Sequence, residues 1–418
     1  WLFVLSHGPI ASADGEPDGV VVSGWAALRM FTAKWLGIQE VEGNSGDDSL
    51  TTGRREVTFS GFAQLALNWP AAHAYTIAYD PYQAVDWDRW HWALAQHHDH
   101  MGRLSLDRIN AYDRAGYNVV VTMDYAGKKS RGTTYCDYRL WPVHKYLSGV
   151  DSDQEVVSAM NNIRLFIPSM EEIGCHHITS SFLTTYIELW EPDFCDSKER
   201  WHYERTQQCI DLINLYGGMA IIAHPTASAN VYMAWRGYKG IEIVNAYHYR
   251  QWLLNQENEN AKNQIEHFQA VWDYLLTHKD TRIWGFAVND WYGPWRQDEQ
   301  PWIDCGKILV AVPEYSIDDY RNSLETGCFF AIHDWAVQRK DKDRYPVIIE
   351  IVVTRQSIYI QTDGEVTWIA NGERVAYGHS INLSQLSHEQ RYRYLRAEIS
   401  NDYGTVYTQP WTVASFAQ

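Results

Sequence analysis

The sequence predicts an α/β protein, a parallel barrel of strands and helices followed by a small all-β region. Three observations carry that expectation. Between about Asp86 and Ile332, short strands rich in β-branched residues alternate with amphipathic helices that stop at glycine. Carboxylates and histidines stand just after those strands, on the face where such barrels keep their chemistry. Beyond about Tyr345 the helical periodicity ends, and alternating apolar runs joined by polar turns replace it.

Taken in order, residues 1–15 open with Trp1-Leu2-Phe3-Val4-Leu5-Ser6 and lead into Ala11-Ser12-Ala13-Asp14. They read either as the remnant of an export signal with its A-x-A site, which predicts a secreted or periplasmic protein, or as a buried first strand of a cytoplasmic one. Residues 16–85 form a lead-in with no assignable fold, its clearest loop being Gly43-Asn44-Ser45-Gly46-Asp47-Asp48. Within the barrel region, 86–344, Leu106 to Ala115 reads as a helix and Tyr117 to Thr122 as a buried strand. Arg205 to Tyr216 is a helix stopped by Gly217-Gly218, and Met219 to Ala223 and Gly240 to Asn245 are strands. In the C-terminal region, 345–418, strands are expected at Val347–Val353, Ser357–Gln361, Val366–Ile369 and Tyr394–Ile399, with turns at Asn371-Gly372 and Asn401-Asp402-Tyr403-Gly404.

Composition limits the function. A chain of 418 residues has room for two or three domains at roughly 150 residues each. The net charge of −17 repels phosphate backbones and anionic lipid, so nucleic acid is not an expected partner. No apolar run reaches the roughly 18–20 residues of a membrane-spanning helix, so no membrane partner is expected either. Aromatic residues make up 14%, with 20 Trp and 27 Tyr, more than a core requires, and this points to stacking surfaces for ligands or for self-association. Six cysteines (136, 175, 195, 209, 305, 328) contain no CxxC, which argues against a zinc knuckle. The export reading predicts at least one disulfide, expected among Cys136, Cys175 and Cys195.

The polar residues that follow expected strands form one set: His98-Asp99-His100, Asp124, Glu171, His177, His224 and Asp290. Imidazole and carboxylate are the common ligands of catalytic divalent metals, so several of them meeting on one barrel face predict a metal site. Other histidines (91, 97, 176, 248) stand beside aromatics and read as packing or surface residues. Lys128-Lys129 reads as a solvated loop or as a greeting for an anionic substrate.

At these residues the sequence resembles the PHP (polymerase and histidinol phosphatase) family. His98-Asp99-His100 matches its H-x-H, and Ala115 to Asp124 is similar to the strand ending in T-D-H. Ile167-Pro168-Ser169-Met170-Glu171 resembles I-P-G-x-E, with His177 following, and Ala223-His224-Pro225 matches A-H-P ahead of Gly240-Ile241-Glu242-Ile243. Gly285 to Asp290 resembles the terminal G-x-D-D-x-H. The stretch from Glu314 to Phe330 with Gly327, then a β-domain ending near Gln409-Pro410-Trp411, looks most like the carbamate-hydrolase-like branch, the CehA/McbA type.

The resemblance implies a distorted (β/α)7 barrel holding one to three Mn, Zn or Fe ions, and the strand pattern beyond it reads as a small C-terminal β-sandwich. The resemblance assigns His98, His100, Glu171 and Asp290 to a first ion, with Glu171 bridging to a second, and His177 and His224 to the remaining ions or the substrate. Asp124, His177 and Lys128 are the candidate catalytic residues, Lys128 from its place in the loop after Tyr125 rather than from the resemblance. The implied activity is hydrolysis of an amide, ester, carbamate or phosphoester in a small molecule. Two positions depart from the pattern, since T-D-H is Met123-Asp124-Tyr125 and D-x-H is Asp290-Trp291-Tyr292. A neutral phenol is a poor ligand, and the alternative expectation is a catalytically degenerate barrel that binds or self-assembles through aromatic surfaces.

Overall fold

The computed structural model describes residues 73–101, 104–126, 140–172, 176–185, 187, 203–255, 264–290, 305–335, 344–387 and 389–417. All of them lie in the compact unit running from Trp69 to Gln418. The possible export signal, most of the lead-in, Lys128, Tyr292 and Cys136, Cys175 and Cys195 lie outside the described residues. Cys209, Cys305 and Cys328 are buried.

The fold is mixed α/β around one large sheet. Its first strands, β1 (His73–Tyr79) and β2 (His91–Gln96), are followed by helix α1 (Leu106–Arg114), β3 (Val119–Thr122), the short β4 (Tyr125–Ala126) and helix α2 (Asp153–Ser158). Next come β5 (Leu165–Glu172), β6 (Ile178–Ser181), α3 (Tyr203–Leu215), β7 (Met219–Ile222), α4 (Ala229–Ala234), β8 (Gly240–Asn245), α5 (Ala246–Leu254), α6 (Gln264–His278) and β9 (Trp284–Val288). The helix starts obey local chemistry. Ser105 accepts from Arg108 N–H to cap α1, and the left-handed Gly217 (φ 80°) ends α3, a conformation that costs glycine little.

The strands pair in the order β2-β3-β5-β6-β7-β8-β9. The expected all-parallel arrangement is corrected at β6, which runs antiparallel to both neighbours. The cause is chain length. Only residues 173–177 join β5 to β6, far fewer than the dozen or so that a parallel crossover needs. The two ends of this run meet, because Asp290 N–H, just past β9, donates to His98 C=O just past β2 at 2.7 Å. Inward residues of β2, β3, β5, β7 and β9, among them Ala95, Val121, Ile167, Ile221 and Phe286, share one apolar cluster, which Tyr320 and Leu324 also enter. Each large side chain buried there contributes about 1.5–3 kcal/mol.

Strand β10 (Gly306–Val312) pairs antiparallel with β2, and β11 (Phe329–Asp334) antiparallel with β10, with α7 (Ile317–Glu325) between them. Asp318 and Asp319 occupy the first turn of α7, where carboxylates suit the helix dipole. The C-terminal strands are β12 (Ile348–Val353), β13 (Ser357–Thr362), β14 (Glu365–Ala370), β15 (Glu373–Tyr377), β16 (Ser380–Asn382), β17 (Tyr394–Asn401), β18 (Gly404–Thr408) and β19 (Trp411–Ala417). Strands β12, β13 and β16 form a separate three-stranded sheet; β18 pairs with β11, so the others continue the large sheet. Strand β1, from the lead-in, pairs with β19. The β14–β15 turn holds Asn371 and Gly372 at φ 51° and 78°, the pair of positive φ values that a tight hairpin needs.

Two contacts tie the C-terminal strands to β9 and α6. Gln409 places its side-chain amide on β9, donating to Gly285 C=O and accepting from Gly285 N–H at 2.9 and 2.8 Å, as a strand neighbour would. Arg396 of β17 grips Asp273 of α6 with two hydrogen bonds of 2.8 and 2.7 Å. No helix among the described residues is long and apolar enough to cross a membrane.

Candidate metal centre

The strand ends are fixed before their side chains are. Met101 N–H donates to Met123 C=O, Glu171 N–H to Asp124 C=O and Ala223 N–H to His177 C=O, each at 3.1 Å. Arg108, buried in α1, donates to the carbonyls of His100 and Met101 at 2.5 and 2.8 Å and lies 3.7 Å from Asp99. The segment 99–101 is thereby held without regular ladder bonding. His224 (φ 24°) and Asp290 (φ 54°) both sit in the left-handed region, which is strained for residues with a Cβ and recurs at functional sites. The strain aims their amides: His224 N–H reaches Glu242 Oε2 at 2.7 Å, and Asp290 N–H reaches His98 C=O.

Six of the residues expected at the site converge. His98 Nε2 lies 3.3 Å from His100 Nε2, 3.4 Å from Glu171 Oε2 and 3.3 Å from Asp290 Oδ1. His100 Nε2 lies 3.0 Å from Glu171 Oε2 and 3.3 Å from Asp290 Oδ1. These five separations, 3.0–3.4 Å, are those of ligand atoms that each stand about 2.0–2.1 Å from a shared ion, the length of zinc–nitrogen and zinc–oxygen bonds. The other oxygen of Glu171 faces a second group, 2.7 Å from His177 Nδ1 and 3.3 Å from His224 Nε2, with those two nitrogens 3.1 Å apart. Asp124 stands one step out, its Oδ1 3.3 Å from His100 Nδ1. Tyr125 contributes its backbone to β4 beside β5.

Sequence reasoning gave no role to Glu242 or Asn245 and read His248 as a packing or surface residue, yet all three shape this cluster. Glu242, fully buried in the apolar β8, places Oε1 2.6 Å from His98 Nδ1. That contact keeps the proton on Nδ1 and leaves the Nε2 lone pair pointing at the other ligand atoms. A charged residue inside a run of isoleucine and valine was the available signal. Asn245 donates from Nδ2 to Glu242 Oε2 and Asp290 Oδ2, both at 3.0 Å. His248 lies on α5 with its ring centroid 5.1 Å from that of His224. Buried Asp99 faces Arg108; burial pushes its carboxyl up to about 7 against the pull of Arg108. By contrast His97, bonded to Tyr320 Oη and Ser181 Oγ, and His176, edge-on to Trp235, are packed as expected.

The electrostatics fit a cation. Among the described residues, the ion pairs of Glu171, Glu242 and Asp290 all run to imidazoles. Burial alone would lower the pKa of His98, but Asp290, Glu242 and Glu171 outweigh it and hold the imidazole well above its usual value. At His100 burial is likewise overcome, by Asp124, Asp290 and Glu171. Glu171 is held well below the carboxylate range, because His98, His177 and His100 overcome its burial. Protonated imidazoles balance these carboxylates, and a bound divalent ion would take the same role on displacing their protons. Among the described residues, buried Glu171 Oε2 has no well-formed hydrogen bond and only the His100 and His98 nitrogens beside it at 3.0 and 3.4 Å, as a ligand oxygen would. Histidine nitrogens and carboxylate oxygens suit Zn, Mn or Fe. Among the described residues, three groups could hold an ion: His98–His100–Glu171, Glu171–His177–His224 and His224–His248–Asp290.

No family model matches the sequence, and no curated protein matches it. Among solved structures, the chain is similar to a two-domain protein from Bacteroides vulgatus ATCC 8482 containing a predicted PHP-like metal-dependent phosphoesterase. The identity is 13%, over 79% of this chain and 98% of that one, with a TM-score of 0.37.

Proposed function

We propose that this protein is a metal-dependent hydrolase acting on an amide, ester, carbamate or phosphoester of a small molecule. The observation that carries the reading is the convergence of His98 and His100, their Nε2 atoms 3.3 Å apart, each 3.0–3.4 Å from both Glu171 Oε2 and Asp290 Oδ1. When bound, divalent Mn, Zn or Fe would polarise the substrate oxygen under attack and acidify water.

The chain's own groups do the positioning. Glu242 and Asp124 fix the tautomers of His98 and His100, and Asn245 orients Asp290 by bonding the oxygen that faces away from them. Glu171 offers one oxygen to each side of the centre. His177 and Asp124, with side chains 33% and 23% exposed, open the cluster to solvent, and substrate enters past them. Lys128, four residues after Asp124, meets an anionic group of the substrate in this reading. The ordered motifs support the PHP family, and the 314–330 segment with the β-region after it supports the carbamate-hydrolase-like branch.

Tyrosine at 125 and 292 favours a second reading, a degenerate PHP-fold protein that binds or self-associates through aromatic surfaces. An apolar cavity of about 340 Å³, lined by Trp92, Phe330, Tyr345 and Ile348 among others, offers such a surface. Turnover separates the two. The full chain loaded with Mn, Zn or Fe is assayed against an aryl phosphate, an aryl ester, an aryl carbamate and an anilide, beside His100→Ala. The hydrolase reading expects cleavage of at least one bond class, abolished by chelation and by the substitution. Bound metal without turnover, together with self-association in sedimentation, would replace it with the second reading.

A further inference from the structure

His248 belongs to neither the strand-end set nor the six residues expected at the site, yet one ligand atom each from His224, His248 and Asp290 lies within 4.8 Å of the others. Its position is built rather than incidental. Asn245 caps α5 by accepting from His248 N–H at 3.2 Å, and the same side chain donates to Asp290 Oδ2 and Glu242 Oε2. One amide thus ties the start of the helix to the carboxylates of the centre. Phe268 and Tyr247 pack edge-on against the His248 ring, each at 5.7 Å between centroids, and fix its plane.

Asp290 is divided between two tasks. Its Oδ1 faces His98 and His100, while Oδ2 lies 3.9 Å from His224 Nε2. His224 is likewise shared, since it also stands with Glu171 and His177. A neutral imidazole presents a single lone pair, so His224 can bond one ion at a time. We infer that the second ion of this centre has two alternative seats, Glu171–His177–His224 and His224–His248–Asp290, with His224 the ligand common to both. The inference rests on the reading of the cluster as a metal centre. The first seat is compact, with donors 2.7–3.3 Å apart; the second is wider and leaves more room for water ligands.

The test counts ions. Full-length protein is stripped with chelator, equilibrated with Mn²⁺, desalted and analysed for bound metal, and crystals of each variant are examined by anomalous diffraction at the metal edge. His177→Ala and His248→Ala should each keep two ions per chain, like the parent, while the double variant falls to one. The anomalous peak for the second ion should stand beside His248 in His177→Ala and beside His177 in His248→Ala. Thermal melts of the metal-free variants establish folding, and His177→Gln with His248→Gln repeats the series if alanine unfolds the chain. The inference is overturned if His177→Ala alone drops to one ion, if the double variant keeps two, or if the parent binds only one. A parent that binds no ion at all would instead overturn the metal-centre reading beneath it.

Discussion

Replacing Glu242 with Gln leaves the volume of the buried β8 side chain nearly intact, so its effect reads out the carboxylate's charge and hydrogen bonds rather than its packing. The carboxylate accepts on both oxygens, Oε1 facing His98 Nδ1 at 2.6 Å and Oε2 taking His224 N–H at 2.7 Å and Asn245 Nδ2 at 3.0 Å. An amide can satisfy only one side. With its oxygen toward His98, its NH2 confronts two donors; flipped, the NH2 meets Nδ1 and drives the His98 proton onto Nε2, where it blocks the lone pair. Loss of a carboxylate behind a metal-binding histidine costs about 10–100-fold in affinity, or about 1.4–2.8 kcal/mol. Competition against a chromophoric chelator with Zn²⁺ measures it, and melts of the metal-free protein check the fold. Affinity equal to the parent's in a folded Glu242→Gln protein would refute the role given to Glu242, and with it the assignment of His98 Nε2 as a ligand atom.

Three further outcomes follow from the packing. Burial pushes His333 down to about 3, against about 6.5 unfolded, so the unfolded chain takes up a proton that the folded chain refuses. Its contribution is complete above pH 6.5 and lost as pH falls toward 3, about 2 kcal/mol between pH 7 and pH 5; urea unfolding of His333→Phe should show a pH dependence smaller by that amount, and an unchanged dependence contradicts it. Arg396→Met leaves Asp273 buried with its charge uncompensated and should cost about 3–5 kcal/mol in chemical denaturation while metal content stays at the parent level. Gly306→Ala would bring a Cβ to 2.1 Å from Val288 O; the strain, about 1–3 kcal/mol, falls on the chain that leads into Asp290, so both stability and metal affinity should drop.

Strand-end chemistry was legible because it depends on local order. A histidine or carboxylate at or just past the end of an apolar strand, as at His98, Glu171, His224 and Asp290, needs only the strand to be read correctly. Glu242, Asn245 and His248 were not legible on that rule. Glu242 lies within its strand, and the other two belong to the start of a helix whose position depends on the cap at Asn245. The fold divides in the same way. Strands at 219–222, 240–245 and 394–399 follow from their composition, whereas the antiparallel turn of β6 depends on the five-residue link before it. The pairing of β1 with β19 joins residues over 300 apart, and no short pattern records it. Residue identity at 125 and 292 warned of a departure from the PHP pattern, but the imidazole of His248 becomes visible only when α5 is placed beside His224.

X-ray absorption at the zinc edge of the zinc-loaded full chain tests the central claim most directly, because it reports the atoms bonded to the ion without reference to any substrate. The account predicts a first shell of nitrogen and oxygen at about 2.0–2.2 Å, with the outer-shell scattering of imidazole rings, and loss of bound zinc in Asp290→Ala. A sulfur shell near 2.3 Å, or zinc that desalting removes from the parent protein, would contradict it.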